Sequence, residues 1–147
     1  LQLVGSNRTY PLQDIAAIAN EAGVGGRVAV SDYVTDGELA RLYSRASVFA
    51  FLSEYEGFGL TPLEAMASGA VPVVLDTAVA REIYGDAAIR VASPDVSLVA
   101  SALQAALDDH SARRTAALAA APEILSRYRW ADTASQTLSV LAEASHS

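Results

Sequence analysis

Two runs in this sequence, Val48-Phe-Ala-Phe-Leu52 and Val71-Pro-Val-Val-Leu75, carry no polar side chain. A strand with one face in water alternates polar and apolar residues, so a run without alternation has to be covered on both faces. Parallel sheets with a helical layer on each side meet that condition. The residues between the runs, 61–68, have helical periodicity, as a crossover between two parallel strands requires. The chain is therefore expected to be an α/β protein, with a Rossmann-like parallel sheet flanked by helices.

The same alternation extends along the chain. Further strands are expected at residues 1–4, 27–30 and 87–91, and further helices at 11–22, 35–46 and about 79–84. In the first helix Leu12, Ile15, Ala16, Ile18, Ala19 and Ala22 share one face, and Gly23 ends it. Thr35-Asp-Gly-Glu38 has capping-box spacing, in which Thr and Glu each satisfy a backbone amide of the other. After Pro94-Asp95 the pattern turns wholly helical. Residues 96–107, 112–121 and 130–144 are the expected helices, with a break at Pro122, and residues 96–147 form the helical end of a single domain spanning 1–147. Trp130 is expected to anchor the last helix against the sheet through its large apolar area.

Composition narrows the partners. At 147 residues and 52% hydrophobic, the chain is sized for about one domain with one substantial core. Its net charge of −7 is dispersed, which argues against nucleic acid or an anionic membrane, since both are held by clustered cations. The absence of cysteine excludes disulfides, thiolate metal sites and a cysteine nucleophile, and suits a reducing compartment. His110 and His146 lie far apart, so no metal site is expected. No apolar run approaches the roughly 18–20 residues of a membrane span, and no signal peptide precedes the first strand. A cytoplasmic protein is expected, with the inner face of the membrane as the other place for the full-length protein. All ten cations are arginine, which stays charged and can grip a phosphate with two donors. Because residues 1–4 already read as a buried strand turned by Gly5, the sequence is expected to be a fragment or an isolated domain.

Glu56-Gly-Phe-Gly-Leu-Thr-Pro-Leu-Glu64 directly follows the first apolar run. It therefore lies where the sheet's carboxyl edge opens into a helix, the place at which open α/β sheets bind ligands. Two readings of Glu64 stand side by side. In one, Thr61 is the N-cap, Pro62 the first helical residue, and Glu64 reaches back to the cap amide. In the other, Glu64 belongs to a ligand site with Glu56. The capping reading leaves Glu56 and the glycine pair unexplained. Two glycines before a helix allow positive φ and let backbone amides approach an anion, while the helix start adds partial positive charge. A diphosphate held by amides, with a carboxylate for hydroxyl groups on either side, describes a nucleoside-diphosphate sugar.

These residues also carry a family resemblance. The segment from Glu56 through Glu64-Ala-Met-Ala-Ser-Gly69, with Pro72-Val-Val74 and Glu82-Ile-Tyr-Gly-Asp-Ala-Ala88, resembles the retaining glycosyltransferases of family 4. Leu3-Val-Gly5, Asp36-Gly-Glu-Leu39, Leu42-Tyr-Ser-Arg-Ala46 and Arg129-Trp130 extend the match over nearly the whole chain. The resemblance implies a GT-B fold, two facing Rossmann-like domains, of which this chain is most of the second, without its first strand-helix unit. It implies that Glu64 holds the donor ribose and that Glu56 contacts the transferring sugar as the catalytic candidate. Amides around Phe58, Gly59, Leu60 and Thr61 would receive sugar hydroxyls or the distal phosphate, and the loop at Tyr33 and Val34 would seat the base. It further implies a UDP- or GDP-sugar as donor substrate, a glycan, lipid-linked or small acceptor, and no metal or other cofactor. The cations that neutralise the diphosphate in the family precede Leu1, as does the acceptor-binding domain, so the isolated chain is expected to be inactive. Arg81 stands where many relatives carry proline, and is either a surface helix residue or an interdomain or phosphate contact. The competing functions are a stand-alone nucleotide-sugar binding module and a nucleotide-sugar epimerase, the latter disfavoured by the glutamate spacing.

Overall fold

The computed structural model describes residues 1–8 and 10–145. Thr9, His146 and Ser147 lie outside the described residues. The chain divides into two compact units, Leu1–Arg41 and Leu42–Ser147.

The first unit holds strand β1 (Gln2–Val4), helix α1 (Ile15–Glu21), strand β2 (Ala29–Ser31) and most of helix α2 (Asp36–Arg45). β1 and β2 pair in parallel, with Leu3 opposite Val30. Helix α1 starts four residues later than its periodicity predicts. Asp14 caps it, accepting a hydrogen bond from the Ala17 amide at 2.9 Å, and Leu12, left before the cap, is exposed. At the start of α2 the capping box forms as expected. The Thr35 amide and hydroxyl donate to Glu38 Oε2 at 2.9 and 2.7 Å, and the Glu38 amide donates to Thr35 Oγ1 at 3.4 Å.

The second unit contains strands β3 (Val48–Phe51), β4 (Val71–Leu75) and β5 (Ile89–Val91) in the parallel order β3-β4-β5, with Val48 opposite Val71 and Val73 opposite Ile89. Helix α3 (Leu60–Ala67) joins β3 to β4, and α4 (Ala78–Tyr84) with a 3-10 turn at Gly85–Ala87 joins β4 to β5. Helices α5 (Val96–Leu107), α6 (Ala112–Arg127) and α7 (Trp130–Ser145) follow. Every residue of β4 is buried, and its side chains alternate between two cores. Val74 packs with Leu63 and Met66 of α3, Ile83 and Tyr84 of α4 and Ile124 of α6. Val71 and Val73 pack on the opposite face with Ile89, Val91, and Ala102 and Ala106 of α5. The two-sided cover demanded by the apolar run is thus built from α3, α4 and the later part of α6 on one side, and from α5 with Ala117 of α6 on the other.

Two expectations fail in the helical end. Helix α6 runs through Pro122 without stopping. Ala117, Ala121 and Ile124 fall on one face on both sides of the proline and are all buried, so packing carries the helix across the hydrogen bond that proline removes. Trp130 does not anchor α7: it is 79% exposed, and α7 buries none of its residues. Its Leu138, Val140 and Leu141 are exposed as well. Among the described residues, no helix is long and apolar enough to cross a membrane.

Candidate functional site

The nine residues from Glu56 to Glu64 form the connection from the carboxyl end of β3 into α3. The helix does not start where the capping reading places it. Its N-cap is Gly59, at φ 82° and ψ 72°, and no side chain caps it. Thr61 is then already helical and Pro62 occupies the first turn, where its missing N–H costs no helical bond. The Glu64 carboxylate does not turn back toward the cap. It is exposed, and its Oε2 accepts a hydrogen bond from the Tyr43 hydroxyl at 3.3 Å. Thr35–Glu38 and Thr61–Glu64 share a spacing, yet only the first closes as a capping box. A left-handed Gly59 moves the helix start upstream and frees the second glutamate.

Tyr43 is 8% exposed, with its ring edge-on to Phe49 at 5.6 Å. Burial, followed by the charge of Glu64, pushes its phenol up to about 12. It therefore remains a donor to Glu64 at neutral pH.

Glu56 opens the same loop and is partly buried. It borders a small cavity of about 10 Å³ between the ends of β3 and β4, shared with Phe51, Ser53, Thr77 and Tyr84. Among the described residues no side chain pairs with its carboxylate. Between the two glutamates, Phe58 sets its ring edge-on to Tyr128 at 5.3 Å, and the Tyr84 hydroxyl donates to the Gly59 carbonyl at 2.8 Å. The structure thus places Glu56, Phe58, Gly59, Leu60, Thr61 and Glu64 on the segment running from the carboxyl end of β3 into α3, each exposed or partly exposed. Tyr33, which is exposed, and Val34 lie on the loop between β2 and α2, within the first unit.

Arg81 resolves into a specific partner. Its guanidinium makes two bonds to Asp76, Nε to Oδ1 at 2.8 Å and NH2 to Oδ2 at 2.9 Å, and Arg90 approaches the same carboxylate at 3.4 Å. The hydrogen bond from Arg81 holds Asp76 below the usual carboxylate range. Asp76 is thus occupied by two guanidinium groups, and the cap of α4 is Thr77. Sequence reasoning missed Tyr43 and Tyr84 as site residues. Each stands inside a stretch of the family resemblance, but its partner is more than twenty residues away, so local periodicity could not reveal the contact.

Residues 3–121 match the model of the family described as Glycosyl transferases group 1. The O-antigen chain mannosyltransferase B of Escherichia coli is 34% identical over 114 residues, covering 77% of this chain and 29% of that protein. A GDP-mannose:cellobiosyl-diphosphopolyprenol alpha-mannosyltransferase of Komagataeibacter xylinus is 32% identical, covering 87% of this chain and 33% of that protein. Among solved structures, a sucrose-phosphate synthase from Thermosynechococcus elongatus superposes with a TM-score of 0.80 at 26% identity, over 98% of this chain and 38% of the other. The chain therefore spans about a third of the length of the curated relatives it matches. With the match of residues 3–121 and the parallel α/β architecture in agreement, the chain belongs to the glycosyl transferases of group 1.

Proposed function

We propose that this chain is the donor-binding domain of a retaining glycosyltransferase, which moves a sugar from a nucleoside diphosphate to an acceptor. The observation that carries the reading is the freed carboxylate of Glu64. It has the spacing of a cap but is held by Tyr43 beside an uncapped helix start. A carboxylate in that position accepts the two ribose hydroxyls, while the amides at the start of α3 face the anionic middle of the donor. Glu56, partly buried and unpaired, takes a hydroxyl of the transferring sugar near its reacting carbon.

In the proposed reaction the bond from the anomeric carbon to the diphosphate oxygen breaks, and the acceptor hydroxyl oxygen bonds that carbon on the same face while its proton passes to the departing diphosphate. Negative charge grows on the departing diphosphate, so fixed amides and guanidinium groups lower the barrier without rearranging. Those guanidinium groups and the acceptor site are assigned to parts of the protein outside this sequence, and no metal is invoked. Tyr33 and Val34, on the loop between β2 and α2, are assigned to the base. Glu56 is not assigned as a nucleophile, because the two carboxylates serve different ends of the donor rather than one glycosidic bond. The relatives named for GDP-mannose and mannosyl transfer make GDP-mannose the first donor to try.

Calorimetric titration with GDP, UDP and their sugars is the test. Glu64→Ala is expected to weaken nucleotide binding by roughly tenfold or more, as losing a hydrogen-bonded charged acceptor does, with the circular dichroism unchanged. Equal affinity in that variant would sink the ribose assignment. In the full-length protein Glu56→Ala should depress kcat far more than nucleotide affinity.

A further inference from the structure

Tyr84 is the least expected residue near the loop. It ends α4, is 2% exposed, and packs its ring among Leu63, Met66, Ile83 and Ile124. A buried phenol needs a partner for its proton. This one donates to the Gly59 carbonyl at 2.8 Å, with the Phe58 carbonyl further off at 3.5 Å. Contact is so close that a Cβ on Gly59 would lie 2.1 Å from the Tyr84 hydroxyl oxygen. Gly59 is thus required twice, once for its left-handed φ of 82° and once because the hydroxyl occupies the space a side chain would take. Asparagine tolerates the first condition but cannot meet the second.

We propose that Tyr84 is a positioning residue, a latch whose hydroxyl holds residues 57–59 so that the uncapped start of α3 and both glutamates stay in register. The latch reaches both ends of the loop. Glu56 borders the same small cavity as Tyr84, and Gly59 sets where α3, and with it Glu64, begins. Burial, with a contribution from Glu56, pushes the phenol up to about 12, so the hydroxyl donates throughout the neutral range. The contact itself needs no ligand; its effect on donor binding rests on the function proposed above.

Tyr84→Phe removes one oxygen and leaves the packed ring. In the ligand-free chain, amide hydrogen exchange at Glu64, Ala65 and Met66, the amides of the first bonded turn of α3, is expected to speed up roughly tenfold, the loss of about one good hydrogen bond. Exchange in β4 and β5 should not change. Donor affinity should fall severalfold, and full-length Tyr84→Phe should lose kcat at saturating donor. A second comparison removes dependence on any one variant. Gly59→Ala should destabilise the chain strongly, and adding Tyr84→Phe should recover part of the loss, because the nearest remaining ring atom, Cζ, lies 3.4 Å from the new Cβ. Unchanged exchange at Glu64, Ala65 and Met66 in Tyr84→Phe, or strictly additive effects in the pair, overturns the latch. Failure of the wild-type chain to bind any nucleotide sugar would overturn the donor reading instead, and the exchange and additivity results would still decide the latch.

Discussion

Tyr43 and Tyr84 are two phenols that each donate to the segment 56–64, to a carboxylate in one case and a carbonyl in the other. Both are pushed from an ordinary 10.0 up to about 12 in the folded chain. A phenol that holds its proton more tightly folded than unfolded contributes stability that is complete below about pH 10 and lost between about pH 10 and pH 12. The thermal midpoint should therefore hold steady up to about pH 10 and then fall. The decline should be shallower in the Tyr43→Phe, Tyr84→Phe double variant, and an equal slope in that variant would refute the assignment. At neutral pH Tyr43→Phe should cost no more than about 1 kcal/mol of stability, since its bond is long, yet weaken nucleotide binding by leaving Glu64 free to turn.

The helices show what the sequence could and could not disclose. Apolar periodicity located α2, α4, α5 and α7 to within a residue or so, because each signal lies within one turn of the element it marks. The capping box at Thr35 was legible for the same reason, whereas its near copy at Thr61 was misleading. What decided between them was the Tyr84 contact on Gly59, made by a residue twenty-five positions away. Pro122 was misread for a related cause, since its local rule is overruled by Ala121 and Ile124 in the core. The cost of that proline should still be measurable. Pro122→Ala is expected to stabilise the chain by about 1 kcal/mol or more in denaturant unfolding, restoring a donor and relieving the clash with the preceding turn. Ile124→Ala, which opens a cavity at the same place, should destabilise it by about 2–5 kcal/mol. Destabilisation by both would mean that Pro122 is itself part of the packing.

At the scale of the molecule, the two units differ in how much they enclose. The three strands of the second unit frame two buried cores, whereas the paired β1 and β2 leave Val4 and Val30 43% and 48% exposed and bury only Ala19 in α1. Two-stranded sheets are marginal without further cover. Amide exchange in the isolated chain should therefore be much faster in residues 2–31 than in β4 and β5, and equal protection would contradict this expectation. The glutamate pair, the glycines and the fold class could all be read from the sequence because they lie in or beside the enclosed unit's most apolar runs. The place of Trp130 could not, because hydrophobic area does not name its partner. That exposed position has a practical consequence. Trp130 is the sole tryptophan, so its fluorescence reports the surroundings of α7 and barely registers melting of the sheet. An unfolding curve followed by tryptophan emission would look nearly flat while the core dissolves, but any surface that comes to cover α7 should shift that emission to the blue.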